Sequence, residues 1–315
     1  MLVLAHLGLM KTGTTTIQST LRRNAGVLKG RVAVATCDEP TAAVRRYGQR
    51  LVQKARRDAE AGLREALAGL RAVLERDGAP VAVISDETLY CRLVYSETGD
   101  LFDWTRRALP LVARAFEGHD LRFVFYVREP EAWTRSAWRQ MVKRARCTLD
   151  FDAWRKGIPF EPAWRERFAE VQAVAGAPVD VLDMDSEAED GRLGAGLLRL
   201  AGLDAADLDR IAWSEPRNVA MPSGAVEFMR SVNASNLPFK TVLAISDLVQ
   251  ASSHHFVQEP LRTAVDGGVT LNDPPLPPKA LTHGSEDGIS LVKIAPQARI
   301  CRNENAGERD GRWSR

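Results

Sequence analysis

Cysteine is scarce and scattered in this sequence. The four cysteines of the 315-residue chain are Cys37, Cys91, Cys147 and Cys301, and no two of them form a Cys-x-x-Cys pair. This spacing favours neither a zinc site nor a disulfide framework, and it is typical of a reducing compartment. We therefore predict a cytoplasmic protein that binds no metal.

The chain also lacks an excess of charge and a long apolar run. Its formal net charge is +2, which is too close to neutrality to indicate nucleic-acid binding. The apolar residues 1–7 have no basic region before them and are soon followed by Lys11, so a buried first strand is expected rather than a secretion signal. No stretch approaches the roughly 20 apolar residues that span a bilayer, so no transmembrane segment is predicted.

What is present is a cluster of glycine, lysine and threonine directly after that first strand. Residues 6–18 hold this cluster, and apolar residues at helical spacing follow it. The pattern predicts a strand, a tight turn and a helix. Gly8 and Gly13 let backbone N–H groups turn inward, the helix directs the positive end of its dipole at the turn, and Lys11 adds a full charge. A phosphate-like anion is expected to bind there.

This turn differs from the phosphate loop of nucleoside triphosphatases. Gly8 and Gly13 have the Gly-x-x-x-x-Gly spacing, but Thr14 and Thr15 follow where Lys and Ser or Thr would stand. The lysine lies inside the loop instead. Its displacement argues against ordinary ATP or GTP hydrolysis, in which that lysine reaches the β- and γ-phosphates and the hydroxyl binds Mg²⁺.

The order of the loop residues is instead similar to the 5′-phosphosulfate loop of sulfotransferases, which use 3′-phosphoadenosine 5′-phosphosulfate (PAPS). The residues that carry the resemblance are Lys11, Thr12, Gly13, Thr14, Thr15 and Thr16. The resemblance implies that they bind the 5′ end of PAPS, and that Lys11 stabilises the charge that develops on the leaving phosphate. It also implies a soluble, bacterial-type protein similar to carbohydrate sulfotransferases.

A second apolar run, residues 81–84, ends in Ser85, Asp86 and Glu87. It predicts a parallel strand buried on both faces, whose carboxyl end opens on the same crevice as the loop. Glu87 is placed there to take a proton from an acceptor, and it resembles a carboxylate of carbohydrate sulfotransferases, in which Lys follows where this chain has Thr88. Alternatively, these polar residues cap the next helix, and Asp86 alone could do so while Glu87 acts.

A third buried strand is predicted at residues 121–127, and Arg128 stands at its carboxyl end. Ser136 lies eight residues later, about two turns into a helix. Sulfotransferases have Arg and Ser at this spacing, and the resemblance implies that both side chains bind the 3′-phosphate of PAPS. A guanidinium fork with a hydroxyl suits a phosphate dianion. The alternative is that Arg128 forms an ion pair with Glu129 or Glu131.

The same helix continues with a basic face, on which no acidic residue interrupts positions 135–146. Its members are Arg135, Arg139, Lys143 and Arg146. Such a face is expected to attract a polyanionic cofactor or an anionic acceptor. The more common alternative is a basic face that only contacts solvent.

The alternation of strands and helices predicts an α/β fold with a three-layer, doubly wound parallel sheet, similar to P-loop NTPases, and a helical C-terminal part. Single helices are expected over residues 14–28 and 41–76. Residues 1–257 are predicted to form this domain. Within it, Arg217 and Asn218 resemble a turn that closes over the cofactor in bacterial sulfotransferases. Residues 258–315 are rich in proline and glycine and are predicted to be an irregular or disordered tail.

These features lead to one principal hypothesis, sulfuryl transfer from PAPS to a hydroxyl or amine of a small-molecule or carbohydrate acceptor, without a metal. Glu87 is the expected general base, with Asp86 and His6 as the alternatives. Two further hypotheses are kept: a P-loop kinase that uses ATP, and a non-catalytic nucleotide-binding relative. Hydroxyls of carbohydrates, lipid-linked sugars and small molecules all fit, and the resemblance of the loop and Glu87 to carbohydrate sulfotransferases favours a carbohydrate. The pattern favours no particular oligomeric state.

Overall fold

A five-stranded parallel β-sheet lies at the centre of the computed structural model, which describes residues 1–37, 39–53, 57–87, 103–157, 163–215 and 220–256. The strands are β1 (Leu2–Gly8), β2 (Val32–Ala35), β3 (Val81–Ser85), β4 (Asp120–Val127) and β5 (Val179–Asp183). Their order across the sheet is β2-β3-β1-β4-β5. The predicted parallel α/β fold is confirmed.

Helices follow the strands along the chain. Those of the described residues are α1 (Thr14–Arg23), α2 (Ala25–Leu28), α3 (Glu39–Gln53), α4 (Arg57–Asp77), α5 (Asp103–Ala115), α6 (Pro130–Arg144), α7 (Phe151–Gly157), α8 (Trp164–Ala175), α9 (Met184–Glu189), α10 (Ala195–Leu200), α11 (Ala205–Asp209), α12 (Ser223–Ala234) and α13 (Phe239–Ala251). A 3-10 turn, Ser253–Phe256, follows α13. None of them is long and apolar enough to cross a membrane.

The helices cover both faces of the sheet, because successive residues of a strand point to opposite sides. On β1, Val3 and Ala5 belong to one apolar core, which they share with α3 to α8, α12 and α13. Leu4 belongs to a second core with α1, α2, α10 and α11. The sheet is therefore the middle of three layers, as the sequence predicts.

The strand order positions the candidate site. The central strand β1 pairs with β3 on one side and with β4 on the other, with Cα partners such as His6 with Ser85 and Gly8 with Phe125. Because all three strands are parallel, their carboxyl ends meet at the same edge of the sheet. The segments that follow β1, β3 and β4 therefore lie next to one another.

The single helix expected over residues 14–28 is wrong, because the chain breaks at Asn24 between α1 and α2. The buried Asn24 amide donates to the carbonyl oxygens of Thr20 at 2.8 Å and Ala212 at 3.0 Å, and it accepts from Ala212 N–H at 2.9 Å. An asparagine side chain that bonds nearby backbone competes with helix continuation. The Asn24 side chain thereby ties the segment around Ala212 to the end of α1.

The single helix expected over residues 41–76 is wrong as well, because α3 and α4 pack against each other. A Cβ atom on Gly62 would lie 2.3 Å from the ring of Tyr47. In one continuous helix these two residues would be roughly 22 Å apart. Gly62 therefore permits a close helix contact that its helical periodicity alone does not indicate.

Some sequence expectations fall outside the described ranges. They concern Arg217, Asn218, Thr88 and the tail at residues 258–315. The helix-cap alternative for the residues after β3 also depends on this undescribed part of the chain.

We expect Asn24→Ala to lower the free energy of unfolding by about 1–3 kcal/mol, because the change leaves buried backbone groups without their partner. Chemical denaturation measures the difference. Arg23→Ala, at the exposed neighbouring position, is the control and should change stability by less than about 0.5 kcal/mol. Equal effects of the two changes would contradict a structural role for Asn24.

Candidate functional site

The loop between β1 and α1 is held in a defined turn by one hydrogen bond within the loop and one to β4. Thr12 Oγ1 donates to the carbonyl oxygen of Leu9 at 2.6 Å, and Leu9 N–H donates to the carbonyl oxygen of Tyr126 at 3.1 Å. Helix α1 then begins with neither a side-chain cap nor an acidic residue in its first turn. The positive end of its dipole is thus directed at this loop, and no acidic residue of the first turn offsets it.

Two residues of this loop have left-handed backbone angles. Gly13 has a φ of 75° and Lys11 a φ of 68°. Glycine adopts this conformation freely, whereas a lysine does so at a cost of about 1–2 kcal/mol. A Cβ on Gly13 would also lie 2.3 Å from Leu193 Cδ2. Backbone strain at Lys11 indicates that its position serves something other than stability.

The Lys11 ammonium lies where several candidate groups converge. Its Nζ donates to Gln140 Oε1 of α6 at 3.4 Å. Burial lowers the pKa of Lys11, the positive charges of Lys143 and Arg128 lower it further, and the carboxylate of Glu87 opposes them. The structure therefore brings Lys11, Arg128 and Glu87, which are far apart in sequence, into one electrostatic neighbourhood.

Two tryptophans connect the loop to the end of β4. Trp133 Nε1 donates to the carbonyl oxygen of Met10 at 2.8 Å, and Trp164 Nε1 donates to the carbonyl oxygen of Arg128 at 2.7 Å. The two rings meet edge to face with centroids 5.1 Å apart. This pair fixes the backbone at both predicted anion-binding positions. The sequence indicates only general aromatic packing for these two tryptophans.

Arg128 lies just beyond the carboxyl end of β4. Among the described residues its ion-pair partner is Asp185, with an Arg128 Nε to Asp185 Oδ1 distance of 3.5 Å, and Nε itself is buried without a hydrogen bond. The two glutamates that the sequence offers as alternatives are engaged elsewhere. Glu129 caps α6 through the N–H groups of residues 131 and 132, and Glu131 pairs with Arg135 at 2.7 Å.

Ser136 is half-buried on α6, four residues before Gln140. Residues four apart lie on the same face of a helix, so the Ser136 hydroxyl stands on the side of α6 that meets Lys11. The helix thus links the end of β4 to the loop after β1.

Glu87 is a largely buried carboxylate held by Gln18 of α1. Gln18 Nε2 donates to Glu87 Oε2 at 2.9 Å and to the carbonyl oxygen of Ser85 at 3.1 Å, while its Oε1 accepts from Cys37 Sγ at 3.0 Å. Burial raises the pKa of Glu87. Sequence reasoning missed Gln18, although a polar residue on the buried side of α1 is a usable signal.

Asp86 bonds to α3, whereas Glu87 bonds to Gln18 of α1. Its fully buried carboxylate accepts from Thr41 Oγ1 at 2.9 Å and from Arg45 Nε at 3.1 Å, both on α3. These bonds tie α3 to the end of β3. Of the two neighbouring carboxylates, Glu87 is the one whose charge acts on Lys11.

His6 is fully buried in the sheet. Its Nδ1 lies 2.9 Å from Ser85 Oγ, its ring meets Tyr126 edge to face at 5.3 Å, and burial lowers the pKa of His6 to about 3. Such a ring is neutral at physiological pH and is closed off from solvent. The geometry therefore favours Glu87 over His6 as the base.

Comparison with known proteins adds no family to this geometry. No family model matches the chain, and no curated protein matches it either. In the part of the chain that the structure describes, no group of histidine, cysteine and acidic residues is arranged to hold a metal ion. The function must therefore be inferred from the site itself.

We expect Lys11→Gly to be more stable than Lys11→Ala by about 1 kcal/mol, because only glycine adopts the left-handed backbone without strain. Chemical denaturation of the ligand-free proteins measures the difference. The same pair of changes at Lys29, whose φ is −53°, is the control and should not favour glycine. A more stable Lys11→Ala protein would show that position 11 is not strained.

The raised pKa of Glu87 predicts a pH-dependent stability. The folded protein holds this proton more tightly than the unfolded chain does, so the contribution is present below the ordinary glutamate pKa of about 4.3 and is lost as the pH rises through the folded pKa. Glu87→Gln keeps an acceptor for Gln18 but removes the buried charge. Its gain in melting temperature over the wild type should be larger at about pH 8 than at about pH 5.

The exposed Glu117 provides the control for this measurement. Glu117→Gln should show no such dependence, because its side chain is solvated in both states. A Glu87→Gln protein whose stability difference from wild type is the same at both pH values would contradict the buried-carboxylate interpretation.

Proposed function

We propose that this protein transfers a sulfuryl group from PAPS to an acceptor hydroxyl or amine. The observation that carries the proposal is the closeness of Lys11 and Arg128 beyond the ends of the adjacent strands β1 and β4, where the positive charge of Arg128 acts on Lys11. Two cationic positions at one edge of the sheet suit a nucleotide that carries anionic groups at both its 5′ and 3′ positions.

In this proposal, the loop after β1 receives the 5′ end of the nucleotide. The N–H groups at the start of α1 and the Lys11 ammonium stabilise the negative charge that develops on the departing phosphate oxygen. Arg128 and Ser136 bind the 3′-phosphate. An anion next to Lys11 would also offset the burial and like-charge repulsion that this lysine experiences in the free protein.

Glu87 acts on the acceptor. As the acceptor oxygen or nitrogen forms its bond to sulfur, the bond between sulfur and the 5′-phosphate oxygen breaks, and the acceptor proton passes to the Glu87 carboxylate. The raised pKa makes this carboxylate a stronger base than an exposed glutamate. Gln18 orients it through the 2.9 Å hydrogen bond to Oε2.

A carbohydrate is our first choice of acceptor. The choice is supported by the order of residues 11–15 and by Glu87, both of which resemble carbohydrate sulfotransferases more than other branches of that family.

The test combines nucleotide binding and turnover. We expect the wild type to bind adenosine 3′,5′-bisphosphate in metal-free buffer and to transfer radiolabelled sulfate from PAPS to a glycan mixture. Lys11→Ala and Arg128→Ala should each weaken nucleotide binding at least about tenfold, because each removes a charged hydrogen-bond donor. Lys11→Ala should also lower turnover about a hundredfold or more.

The exposed residues Lys29 and Arg23 supply matched controls. Their alanine variants lose the same charges away from the site and should behave as the wild type does. Undiminished sulfate transfer by Lys11→Ala and Arg128→Ala would contradict the proposal. Magnesium-dependent ATP turnover without bisphosphate binding would favour the kinase hypothesis, and bisphosphate binding without any transfer would favour a non-catalytic protein.

A further inference from the structure

Arg139 of α6 is a partly buried cation that neither of the two proposed anion-binding positions uses. Its Nε is buried without a hydrogen-bond partner, and within the described ranges it has no ion-pair partner. Burial lowers the pKa of Arg139, and the like charges of Arg135 and Arg128 lower it further. The free protein thus holds a guanidinium in surroundings that disfavour its charge.

The other basic residues on this part of α6 and just after it have partners. Arg135 pairs with Glu131 at 2.7 Å and stacks over Phe151 at 4.0 Å, and Lys143 donates to Gln250 at 3.1 Å. Arg144 and Arg146 are also engaged, with Asp247 and with the carbonyl oxygen of Asn233. On a face that merely contacted solvent, we would not expect Arg139 alone to have a buried Nε without a partner.

Arg128 and Arg139 share an unusual property. Each has a buried Nε without a hydrogen bond, and the charge of Arg128 acts on Arg139. Buried donors in native proteins are almost always satisfied, so two such donors close together indicate a ligand with acceptor oxygens. Arg139 also follows Ser136 by three residues, which places both on one face of α6.

The surroundings of Arg139 indicate on which side that ligand lies. Arg139 lines a cleft of about 390 Å³ between α6, α7 and α12, but this cleft also carries the carboxylates of Asp150, Asp152 and Glu227. An anion inside the cleft would meet those negative charges. Arg128 and Ser136 do not line this cleft, and they offer a cation and a hydroxyl, so we place the anion beside them.

We propose that Arg139 is a third residue that binds the 3′-phosphate and determines the preference of the site for nucleotides that carry one. The inference rests on the proposed function. A phosphate monoester carries a charge of about −1.5 to −2 near neutral pH, which one arginine does not balance. Two guanidinium groups and the Ser136 hydroxyl match both its charge and its three terminal oxygens.

The experiment compares two nucleotides that differ only in the 3′-phosphate. Titration calorimetry measures binding of adenosine 3′,5′-bisphosphate and adenosine 5′-monophosphate to the wild type, to Arg139→Gln and to Arg135→Gln. We expect Arg139→Gln to weaken bisphosphate binding about tenfold to a hundredfold and to change monophosphate binding by less than about twofold. Arg135→Gln, which removes an arginine already paired with Glu131, should change neither by more than about threefold.

Each result decides the question. An Arg139→Gln protein that binds the bisphosphate as the wild type does, or that loses affinity equally for both nucleotides, would overturn the inference. Thermal unfolding establishes that the variant is folded, and Arg139→Lys, which keeps the charge without the planar fork, should show an intermediate loss. A wild type that does not distinguish the two nucleotides would instead overturn the proposed 3′-phosphate position itself. Failure of the proposed function can therefore be told apart from failure of the inference about Arg139.

Discussion

Repulsion between positive charges in a small, poorly solvated volume is the constraint on which this site depends. Lys11 and Arg139 each experience burial together with like charges, including the charge of Arg128, and Glu87 opposes this effect at Lys11. In a medium of low dielectric constant such repulsion is strong, so keeping these groups together lowers the free energy of unfolding of the ligand-free protein. A multiply charged anion is the natural complement of this arrangement.

The sheet and two indole rings make that arrangement rigid. Because β1 lies between β3 and β4, the segments that follow these three strands and carry Lys11, Glu87 and Arg128 lie close together. Trp133 and Trp164 then bond the carbonyl oxygens on the two sides and pack on each other. The charged groups are therefore held by elements whose own stability comes from apolar packing, and this packing can compensate for electrostatic cost elsewhere.

The sequence predicts the parallel sheet well, because its strands are continuous apolar runs that end in polar residues. It also predicts Lys11, Glu87, Arg128 and Ser136 as site residues, and the structure brings the first three together at one edge of the sheet. It does not predict the break at Asn24 or the bonds made by Gln18, since both depend on partners far away in the chain. Local periodicity contains no information on such distant contacts. For the same reason it does not predict the close contact between Gly62 and Tyr47.

Helix α6 has a further consequence under the proposed function. Ser136 and Gln140 lie on one rigid rod, separated by about 6 Å along its axis, and Gln140 touches Lys11. The distance between the two proposed anion-binding positions, near Lys11 and near Ser136, is consequently fixed when the protein folds. The helix thereby selects nucleotides by the separation of their anionic groups. Molecules that are too short reach only one end of it, and selection by size then requires no moving lid.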